Sequence, residues 1–185
     1  MEIYGPCADN LPLILNDVLD RIKQLSSTQV ANGHPKLYEH LIGRVKANDS
    51  MTEKCQRKGY PATPESALRK CRDAVGIRVV CNFIDDVYRC IDLLRDADWC
   101  TIVKEKDYIA NAKPNGYHLI LDVVTPYQDI DGQTPGHYFV EIQLRTIAMD
   151  SWASLEHEMK YKHDIDNPER IGKELRRCAD QLAAC

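Results

Sequence analysis

The chain has 185 residues, is 44% hydrophobic, and carries a formal net charge of −4 with a pI near 5.9. This length predicts one globular domain with a substantial core. The acidic balance argues against a protein that covers nucleic acid along its whole surface, because that mode of binding requires broad neutralisation of phosphates.

The N-terminus lacks a basic segment followed by an apolar one, and no apolar run approaches the roughly 20 residues that span a bilayer. The eight cysteines include no Cys-x-x-Cys pair, which predicts free thiols in a reducing compartment. We therefore expect a cytoplasmic protein that does not contact a membrane.

The first predicted element is an amphipathic helix. Apolar residues recur at intervals of three and four after Asp9 and Asn10, either of which can cap a helix, and this predicts a helix over about residues 10–28. Ser50 and Glu53 have the spacing of a capping box, which predicts that a short basic helix begins there.

The middle of the chain predicts a helix, a strand and a helix. Thr63 followed by Pro64 combines a cap with a first-turn proline and predicts a helix to about Cys71. Residues 85–96 have one apolar face and predict another helix. Between them, the β-branched stretch GIRVVCNF is short and favours a strand.

Three further strands are predicted at residues 101–109, 119–125 and 138–144. The last is the most informative, because alternate side chains of a strand point to opposite faces. Its core face is predicted to carry Tyr138, Val140, Ile142 and Leu144. Its other face is predicted to carry Phe139, Glu141 and Gln143.

Two helices are predicted at the end of the chain. The first begins near Thr146, with Trp152, Leu155 and Met159 facing inward, and the second follows Pro168. Strands mixed with helices, without a G-x-G-x-x-G or G-x-x-x-x-G-K loop, predict an α+β fold with a mixed β-sheet flanked by helices. The predicted division of the single domain, residues 1–185, is a helical N-terminal part at 1–30, a core at 38–162 and a C-terminal helix at 167–185.

A basic cluster lies between residues 41 and 72, where Lys and Arg outnumber acidic residues. The basic residues are Arg44, Lys46, Lys54, Arg57, Lys58, Arg69, Lys70 and Arg72, and the acids are Asp49, Glu53 and Glu65. Such a run is commonly an ordinary solvated face. The alternative is a binding site for a compact polyanion such as a triphosphate.

Four segments resemble the synthetase domain of the RelA/SpoT family, and specifically its small stand-alone alarmone synthetases. They are GRVKANDSMTEK, RDAVGIRVV, KDYIANAKPNGYH and VEIQLRTIAMDSWASLEHEMKYK, in the family order. The resemblance covers about residues 38–162. It implies a nucleotidyltransferase-like fold and transfer of pyrophosphate from ATP to the 3′-hydroxyl of GDP or GTP, which gives (p)ppGpp and AMP.

The resemblance assigns one group of residues to ATP. Arg44 is placed against the adenine and Lys46 and Lys54 on the phosphates, with Ser50 completing the family pattern and Arg78 from the following strand. Cations are what this chemistry needs, because charge neutralisation and positioning do most of the work in phosphoryl transfer. A solvent-exposed basic helix is the simpler interpretation of the same residues.

Two carboxylates are implied as catalytic residues and magnesium ligands, Asp73 and Glu141. Mg²⁺ needs few protein oxygens, because waters and phosphates supply its other ligands. Glu141 would act as a base on the 3′-hydroxyl or as a metal ligand. The simpler roles are a helix-capping aspartate and an exposed strand glutamate.

The resemblance assigns a second group to the acceptor nucleotide: Lys106, Tyr108, Lys113, Asn115, Tyr117, His118 and Gln143. In this group Tyr117 would stack on guanine, for which an aromatic ring is a suitable platform. The family pattern continues Asn-Gly-Tyr-Arg-Ser-Leu-His, whereas here NGY runs directly into HLILDVV. Either the loop is shorter in this protein and His118 takes the place of the family histidine, or the protein has three further loop residues that this sequence does not include.

Two other functions stay open. One is a toxin-like relative that pyrophosphorylates the 3′ end of tRNA, for which a patch of Arg57, Lys58, Arg69 and Lys70 could bind RNA. The other is a nucleotide-binding module without turnover. The resemblance also implies a homotetramer, and we expect synthesis without hydrolysis, because a separate hydrolase domain does not fit in this chain.

Overall fold

The computed structural model describes residues 2–110, 119–128, 135–161 and 168–183. The elements of the described part are, in chain order, α1 (Asn10–Ala31), β1 (His40–Val45), α2 (Asn48–Arg57), β2 (Val75–Cys81), α3 (Ile84–Arg95), β3 (Thr101–Asp107), β4 (Leu119–Gln128), β5 (Pro135–Thr146), α4 (Ile147–Tyr161) and α5 (Pro168–Ala183). A 3-10 turn at Gly5–Cys7 precedes α1, and a π-helical segment at Ser66–Cys71 precedes β2.

The five strands form one sheet in the order β1-β2-β5-β4-β3. β2 and β5 run parallel, and the other neighbouring strands are antiparallel. The predicted α+β architecture with a mixed sheet is therefore confirmed. A parallel pair needs a long connection, and here α3, β3 and β4 supply it.

One face of the sheet is the core. Its most deeply buried strand residues are Val75, Ile77 and Val79 of β2, Leu119, Leu121 and Val123 of β4, and Val140, Ile142 and Leu144 of β5. Helix α1 contacts β1 and β2, and α3 contacts β2, β3 and β5. The face predicted for β5 is confirmed, because Tyr138, Val140, Ile142 and Leu144 are all buried.

The strand missing from the sequence-based prediction is β1. Its side chains alternate between exposed and half-buried, and Gly43 and Arg44 interrupt the β-branched pattern that marks the other strands. The strand forms because it pairs with β2 along its whole length, from His40 opposite Val80 to Val45 opposite Val75. Tertiary pairing here overrides a weak local preference.

Two of the three predicted side-chain caps are wrong. Helix α2 begins at Asn48, two residues before the region expected from Ser50 and Glu53, and Ala47 is its cap residue. Immediately before the helix, the backbone N–H of Lys46 bonds to Ala74 O at 2.8 Å. Asp9 makes no side-chain cap at α1, because its backbone is already helical and not extended as capping requires.

The Thr63 cap is confirmed, but the segment that follows differs in type. Thr63 Oγ1 accepts the Ser66 N–H at 3.3 Å. The chain then forms the π-helical segment Ser66–Cys71. Arg72 follows it directly and has a left-handed backbone, with a φ of 64°. Single π-helical turns are rare and occur often at functional sites, and composition does not distinguish them from α-helices.

The inward face predicted for α4 is partly wrong. Trp152 is buried as predicted, together with Met149, but Leu155 is 51% exposed. The buried side chains lie in the first two turns, where α4 continues directly from β5. The position of the helix relative to the end of β5 therefore determines which of its side chains are buried. The side chain of Met159 lies outside the described residues.

Among the described helices, none is long and apolar enough to cross a membrane. The seven described cysteines are free thiols, and five of them are buried. Cys55 and Cys71 are close, with 3.7 Å between their sulfur atoms. Burial, followed by the contact with Cys71, raises the pKa of Cys55 to about 11, so this thiol is protonated at neutral pH.

Gly43 of β1 faces two leucine side chains of α1, and this contact leads to a stability prediction. A Cβ at this position would lie 2.6 Å from Leu15 Cδ1 and 3.1 Å from Leu19 Cδ1. Gly43→Ala should lower the free energy of unfolding by about 1 kcal/mol, because the leucine ends have to move. Urea unfolding measures the change.

The matched control is Gly76→Ala on the paired strand, where a Cβ would meet nothing within 4 Å. This variant should keep the stability of the wild type. Equal effects at the two positions would show that the approach of β1 to α1 does not limit the side chain at residue 43.

Candidate active site

The face of the sheet opposite the core carries polar side chains in register across the strands. Strand pairing aligns one row of residues from β1 to β4, namely Arg44, Gly76, Glu141 and Asp122. A neighbouring row contains Ile42, Arg78, Gln143, Ile120 and, on β3, Lys106. Because residues opposite each other share a face, these rows form one polar surface.

A pocket of about 350 Å³ opens on this surface. Six polar side chains line it: Arg44, Lys46, Asp73, Arg78, Glu141 and Gln143. Gly76 lies between Arg44 and Glu141 and contributes no side chain, and a Cβ there would touch nothing within 4 Å. The missing side chain leaves the space between the cation and the carboxylate open.

Asp73 is held between two lysines. Its Oδ2 accepts from Lys54 Nζ at 2.5 Å and also contacts Lys46 Nζ. Asp73 is only 7% exposed. Burial by itself raises the pKa of this carboxyl group, but the hydrogen bonds from Lys46 and Lys54 outweigh burial, so the pKa lies below its usual value.

The π-helical segment and the left-handed Arg72 place Asp73 at this position. Arg72 Nε donates to Arg69 O at 3.1 Å, and the Arg72 guanidinium lies 4.3 Å from the centre of the Phe139 ring. Phe139 is on the same face of β5 as Glu141. Stacking of Arg72 on Phe139 therefore links the segment before Asp73 to the strand that carries Glu141.

The N-terminal segment contacts the chain at Lys46 and Asn48. The Tyr4 hydroxyl donates to Lys46 O at 2.6 Å, and the Ile3 N–H donates to Asn48 Oδ1 at 3.2 Å. Burial, followed by the nearby charge of Asp73, raises the pKa of Tyr4 far above its usual value. The hydroxyl consequently stays protonated and can act as this donor at any ordinary pH.

A line of polar contacts extends from Glu141 to Asp150. Gln143 Nε2 donates to Glu141 Oε1 at 2.9 Å, and Arg145 donates to Gln143 Oε1 at 2.8 Å. Asp150 Oδ1 then accepts from Arg145 at 3.2 Å and pairs with Arg78 at the same distance. Glu141 is thus connected to side chains on β2 and α4.

The structure brings together most of the residues assigned to ATP. Arg44, Lys46 and Arg78 line the pocket with both predicted carboxylates, and Lys54 joins them through its ion pair with Asp73. Ser50 is exposed in the first turn of α2 and does not line the pocket.

The structure describes only part of the predicted acceptor site. Gln143 lines the pocket, and Lys106 lies two strands away in the same row. Tyr108 follows the end of β3, in a turn whose backbone N–H groups at Ile109 and Ala110 bond to Asp107 Oδ1. Four predicted residues lie outside the described residues: Lys113, Asn115, Tyr117 and His118.

The sequence-based prediction missed three polar residues on this face. Asp122 is buried on β4 directly opposite Glu141, and Arg145 and Asp150 continue the contacts of Gln143. Asp122 has a visible signal, because an acid interrupts the apolar run LILDVV. Arg145 and Asp150 have none, since their importance depends on side-chain contacts.

The pocket offers carboxylate oxygens to a metal ion. Asp73 Oδ1 is buried and accepts no hydrogen bond from the described residues, while Glu141 lines the same pocket. The described part of the chain contains no group of three or more His, Cys, Asp or Glu side chains arranged to hold a metal. Two carboxylates suit Mg²⁺, which takes most of its ligands from water and phosphate.

Comparisons with known proteins agree with this geometry. The family described as "Region found in RelA / SpoT proteins" matches residues 43–166. The Bacillus subtilis protein named GTP pyrophosphokinase YwaC is 37% identical over 169 residues, which cover 89% of this chain and 78% of that protein. The chain belongs to the RelA/SpoT family.

Solved structures are similar over nearly the whole chain. The small alarmone synthetase 1 of Bacillus subtilis, bound to its product pppGpp, superposes with a TM-score of 0.80 at 30% identity, covering 94% of this chain and 88% of that one. The small alarmone synthetase 2 of the same organism has a TM-score of 0.75 at 35% identity, with 96% and 93% covered.

The depressed pKa of Asp73 generates a prediction about stability and pH. The ionised carboxylate stabilises the fold fully above the unfolded-state pKa of about 3.9, and this contribution is lost as the pH falls through the lower folded-state pKa. Asp73→Asn should cost about 1–3 kcal/mol of unfolding free energy at pH 7. The difference from the wild type should shrink below about pH 4.

Urea unfolding at several pH values measures this difference. Asp92→Asn is the control, because Asp92 forms an exposed ion pair with Arg95 and should change stability by about 0.5 kcal/mol or less. A loss for Asp73→Asn that is the same at pH 7 and pH 3 would contradict a stabilising role of the ionised carboxylate.

Proposed function

We propose that this protein is a GTP pyrophosphokinase that makes the alarmone (p)ppGpp. It transfers the pyrophosphate group of ATP to the 3′-hydroxyl of GDP or GTP and releases AMP. The observation that carries the proposal is the pocket in which Asp73 and Glu141 face Arg44, Lys46 and Arg78. It supports this function because the chain is similar to a protein named GTP pyrophosphokinase and to a synthetase bound to pppGpp.

The cations of the pocket fit the donor nucleotide. Arg44, Lys46 and Arg78 line the pocket, and Arg44 is exposed at its rim. In the proposal Arg44 contacts the adenine and Lys46 and Lys54 the phosphates. These contacts neutralise the polyphosphate and aim its β-phosphorus, which is the principal requirement of phosphoryl transfer. A synthetase structure bound to AMPCPP is among the similar solved structures.

Glu141 is suited to the acceptor side of the reaction. It lies across Gly76 from Arg44, and its Oε1 is fixed by the Gln143 amide. In the proposed reaction the 3′-oxygen bonds to the β-phosphorus, the bond from that phosphorus to the oxygen of the α-phosphate breaks, and AMP leaves. Glu141 either accepts the proton of the 3′-hydroxyl or supplies an oxygen to magnesium.

Asp73 and Glu141 would hold Mg²⁺ in this proposal. Bound Mg²⁺ supplies charge neutralisation at the phosphate oxygens. Asp73 Oδ1 is the candidate oxygen, since Oδ2 is already engaged by the two lysines. The lysines also keep the carboxyl group ionised, which is the form that binds a cation.

A nucleotide acceptor is favoured over the 3′ end of tRNA. The names of the relatives refer to GTP, and two of the four residues of the possible RNA patch have other contacts. Arg69 stacks on Tyr138 at 5.8 Å and Lys70 on Tyr60 at 5.2 Å. Lys106, Tyr108, Lys113, Asn115, Tyr117, His118 and Gln143 remain the proposed acceptor contacts.

The proposal also includes a homotetramer in the cytoplasm. The homotetramer comes from the family resemblance alone, and the cytoplasmic location from the cysteines and the N-terminal sequence. Light scattering of the purified protein during size-exclusion chromatography would give the mass of the assembly directly.

Incubation with labelled ATP, Mg²⁺ and GDP, GTP or deacylated tRNA tests the function. The wild type should form a guanosine product carrying the labelled pyrophosphate, and Glu141→Gln should slow its formation by about a hundredfold or more. Label on tRNA alone would identify the toxin-like alternative. Nucleotide binding without transfer would identify a module that has lost turnover.

A second experiment tests the assignment of the donor side. Arg44→Ala should raise the dissociation constant of a non-hydrolysable ATP analogue by about fivefold to a hundredfold, because a stacking contact with a base is worth about 1–3 kcal/mol. The dissociation constant of GTP should change much less. Titration calorimetry measures both constants.

Lys36→Ala is the control for this experiment, because Lys36 is exposed and pairs with Glu39 before β1. It should leave both dissociation constants unchanged. Equal losses of ATP and GTP binding in Arg44→Ala would mean that the arginine only contributes to a general basic field.

A further inference from the structure

Asp150 forms the far end of the line of contacts that begins at Glu141. It lies in the first turn of α4, directly after β5. Its Oδ1 is 3.2 Å from a terminal nitrogen of Arg145 and 3.2 Å from one of Arg78. One carboxylate oxygen therefore holds two guanidinium groups from neighbouring strands.

Arg145 is the most buried member of this line. It is 9% exposed, and burial followed by the nearby Arg78 lowers its pKa. Its Nε has no hydrogen-bond partner among the described residues. It donates to Gln143 Oε1 and Asp150 Oδ1, and of these two acceptors only Asp150 carries a charge that compensates the guanidinium.

The contact with Arg145 determines the orientation of the Gln143 amide. A guanidinium group only donates hydrogen bonds, so the oxygen of the amide must face Arg145 and its NH₂ group must face the other way. The NH₂ group then donates to Glu141 Oε1 at 2.9 Å. A reversed amide would place its oxygen against the Glu141 carboxylate, where two acceptors repel each other.

We propose that Asp150 is a positioning residue for pyrophosphate transfer, which holds Arg145 so that the Gln143 amide fixes the Glu141 carboxylate. This inference rests on the proposed function of Glu141. Asp150 does not touch the reacting atoms and acts through the side chains of β5.

A simpler role for Asp150 would be to stabilise the start of α4, because a negative charge is favourable at a helix N-terminus. That role would affect the stability of the protein and would not involve Gln143. The two roles differ in what happens to the Gln143 amide and to the rate of transfer when Asp150 is changed.

Steady-state kinetics of Asp150→Ala provide the first measurement. Its kcat should fall by about tenfold or more, because a misplaced catalytic group costs rate even when binding is intact. The dissociation constant of GTP should stay within about threefold of the wild type, as expected when positioning and not binding is lost. The constant of ATP also reports the release of Arg78, which pairs with the same Asp150 oxygen. Asp150→Asn retains an oxygen at the Oδ1 position and should recover part of the rate.

Asp92→Ala is the matched control, since Asp92 also pairs with an arginine but lies on α3 in an exposed position. It should keep the kinetics of the wild type. If Asp150→Ala is too unstable to assay, Asp150→Asn and Arg145→Lys carry the same comparison. A normal kcat in folded Asp150→Ala would overturn the proposal. If that variant cannot be assayed, a normal kcat in both Asp150→Asn and Arg145→Lys would overturn it.

A double-mutant cycle with Gln143→Ala tests whether Asp150 acts through Gln143. If it does, adding Asp150→Ala to Gln143→Ala should cost no further rate. A loss of the same factor in both backgrounds would overturn the proposal and favour an independent, structural role.

Side-chain amide NMR gives a readout that does not depend on activity. The Gln143 signals, identified by their disappearance in Gln143→Ala, should be shifted and slow to exchange in the wild type. In Asp150→Ala they should move to the positions of free amides, and unchanged signals would overturn the proposal. Wild-type protein without transfer activity would overturn the proposed function and the positioning role together, whereas active wild type with normal Asp150→Ala overturns the positioning role alone.

Discussion

The parallel pairing of β2 with β5 assembles the site. It places Gly76 beside Glu141 and Arg78 beside Gln143, and it brings the segment that ends in Asp73 to the strand that carries the second carboxylate. A shift of the register by one residue would turn Glu141 toward the core and Ile142 toward the pocket, because side chains alternate along a strand. Burial of Val140, Ile142 and Leu144 opposes that shift. The hydrophobic core thus specifies the position of the polar groups on the opposite face.

Two clusters of charged side chains at the site have the same arrangement, in which one carboxylate lies between two cations. Asp73 shares a single oxygen between Lys46 and Lys54, and Asp150 shares a single oxygen between Arg78 and Arg145. Each cluster contains two cations and one anion, so each retains a positive charge. A chain with a net charge of −4 can consequently present a local excess of positive charge to a polyphosphate. The acids also keep the cations in place while the pocket is empty.

Periodicity in the sequence predicted the parts of the fold that depend on burial. The alternation in β5 identified both the core face and the face of Glu141, and the apolar spacing identified α1 and α3. Features that depend on distant backbone contacts were not predictable in this way. The start of α2 follows a hydrogen bond from Lys46 to Ala74, the π-helical segment has the composition of an α-helix, and β1 forms where it pairs with β2.

The same distinction applies to the site. Asp73, Glu141 and the lysines were identified by resemblance, and the alternation of β5 supported Glu141, but the ion pairs between Asp73 and the lysines join separate elements. Asp150 was missed for the same reason. Its residue type and its place at a helix start are ordinary, and only the two guanidinium groups beside it distinguish it from any acid in a first turn.

The contact between the Tyr4 hydroxyl and the carbonyl of Lys46 has a consequence for the order in which the molecule is made. Residues 3 and 4 are synthesised more than forty residues before their partners at Lys46 and Asn48. The lysine is held fully only after β1 has also paired with β2, since its own N–H bonds to Ala74. The hydrogen bonds of Ile3 and Tyr4 therefore form only after β1 and the start of α2 have been synthesised.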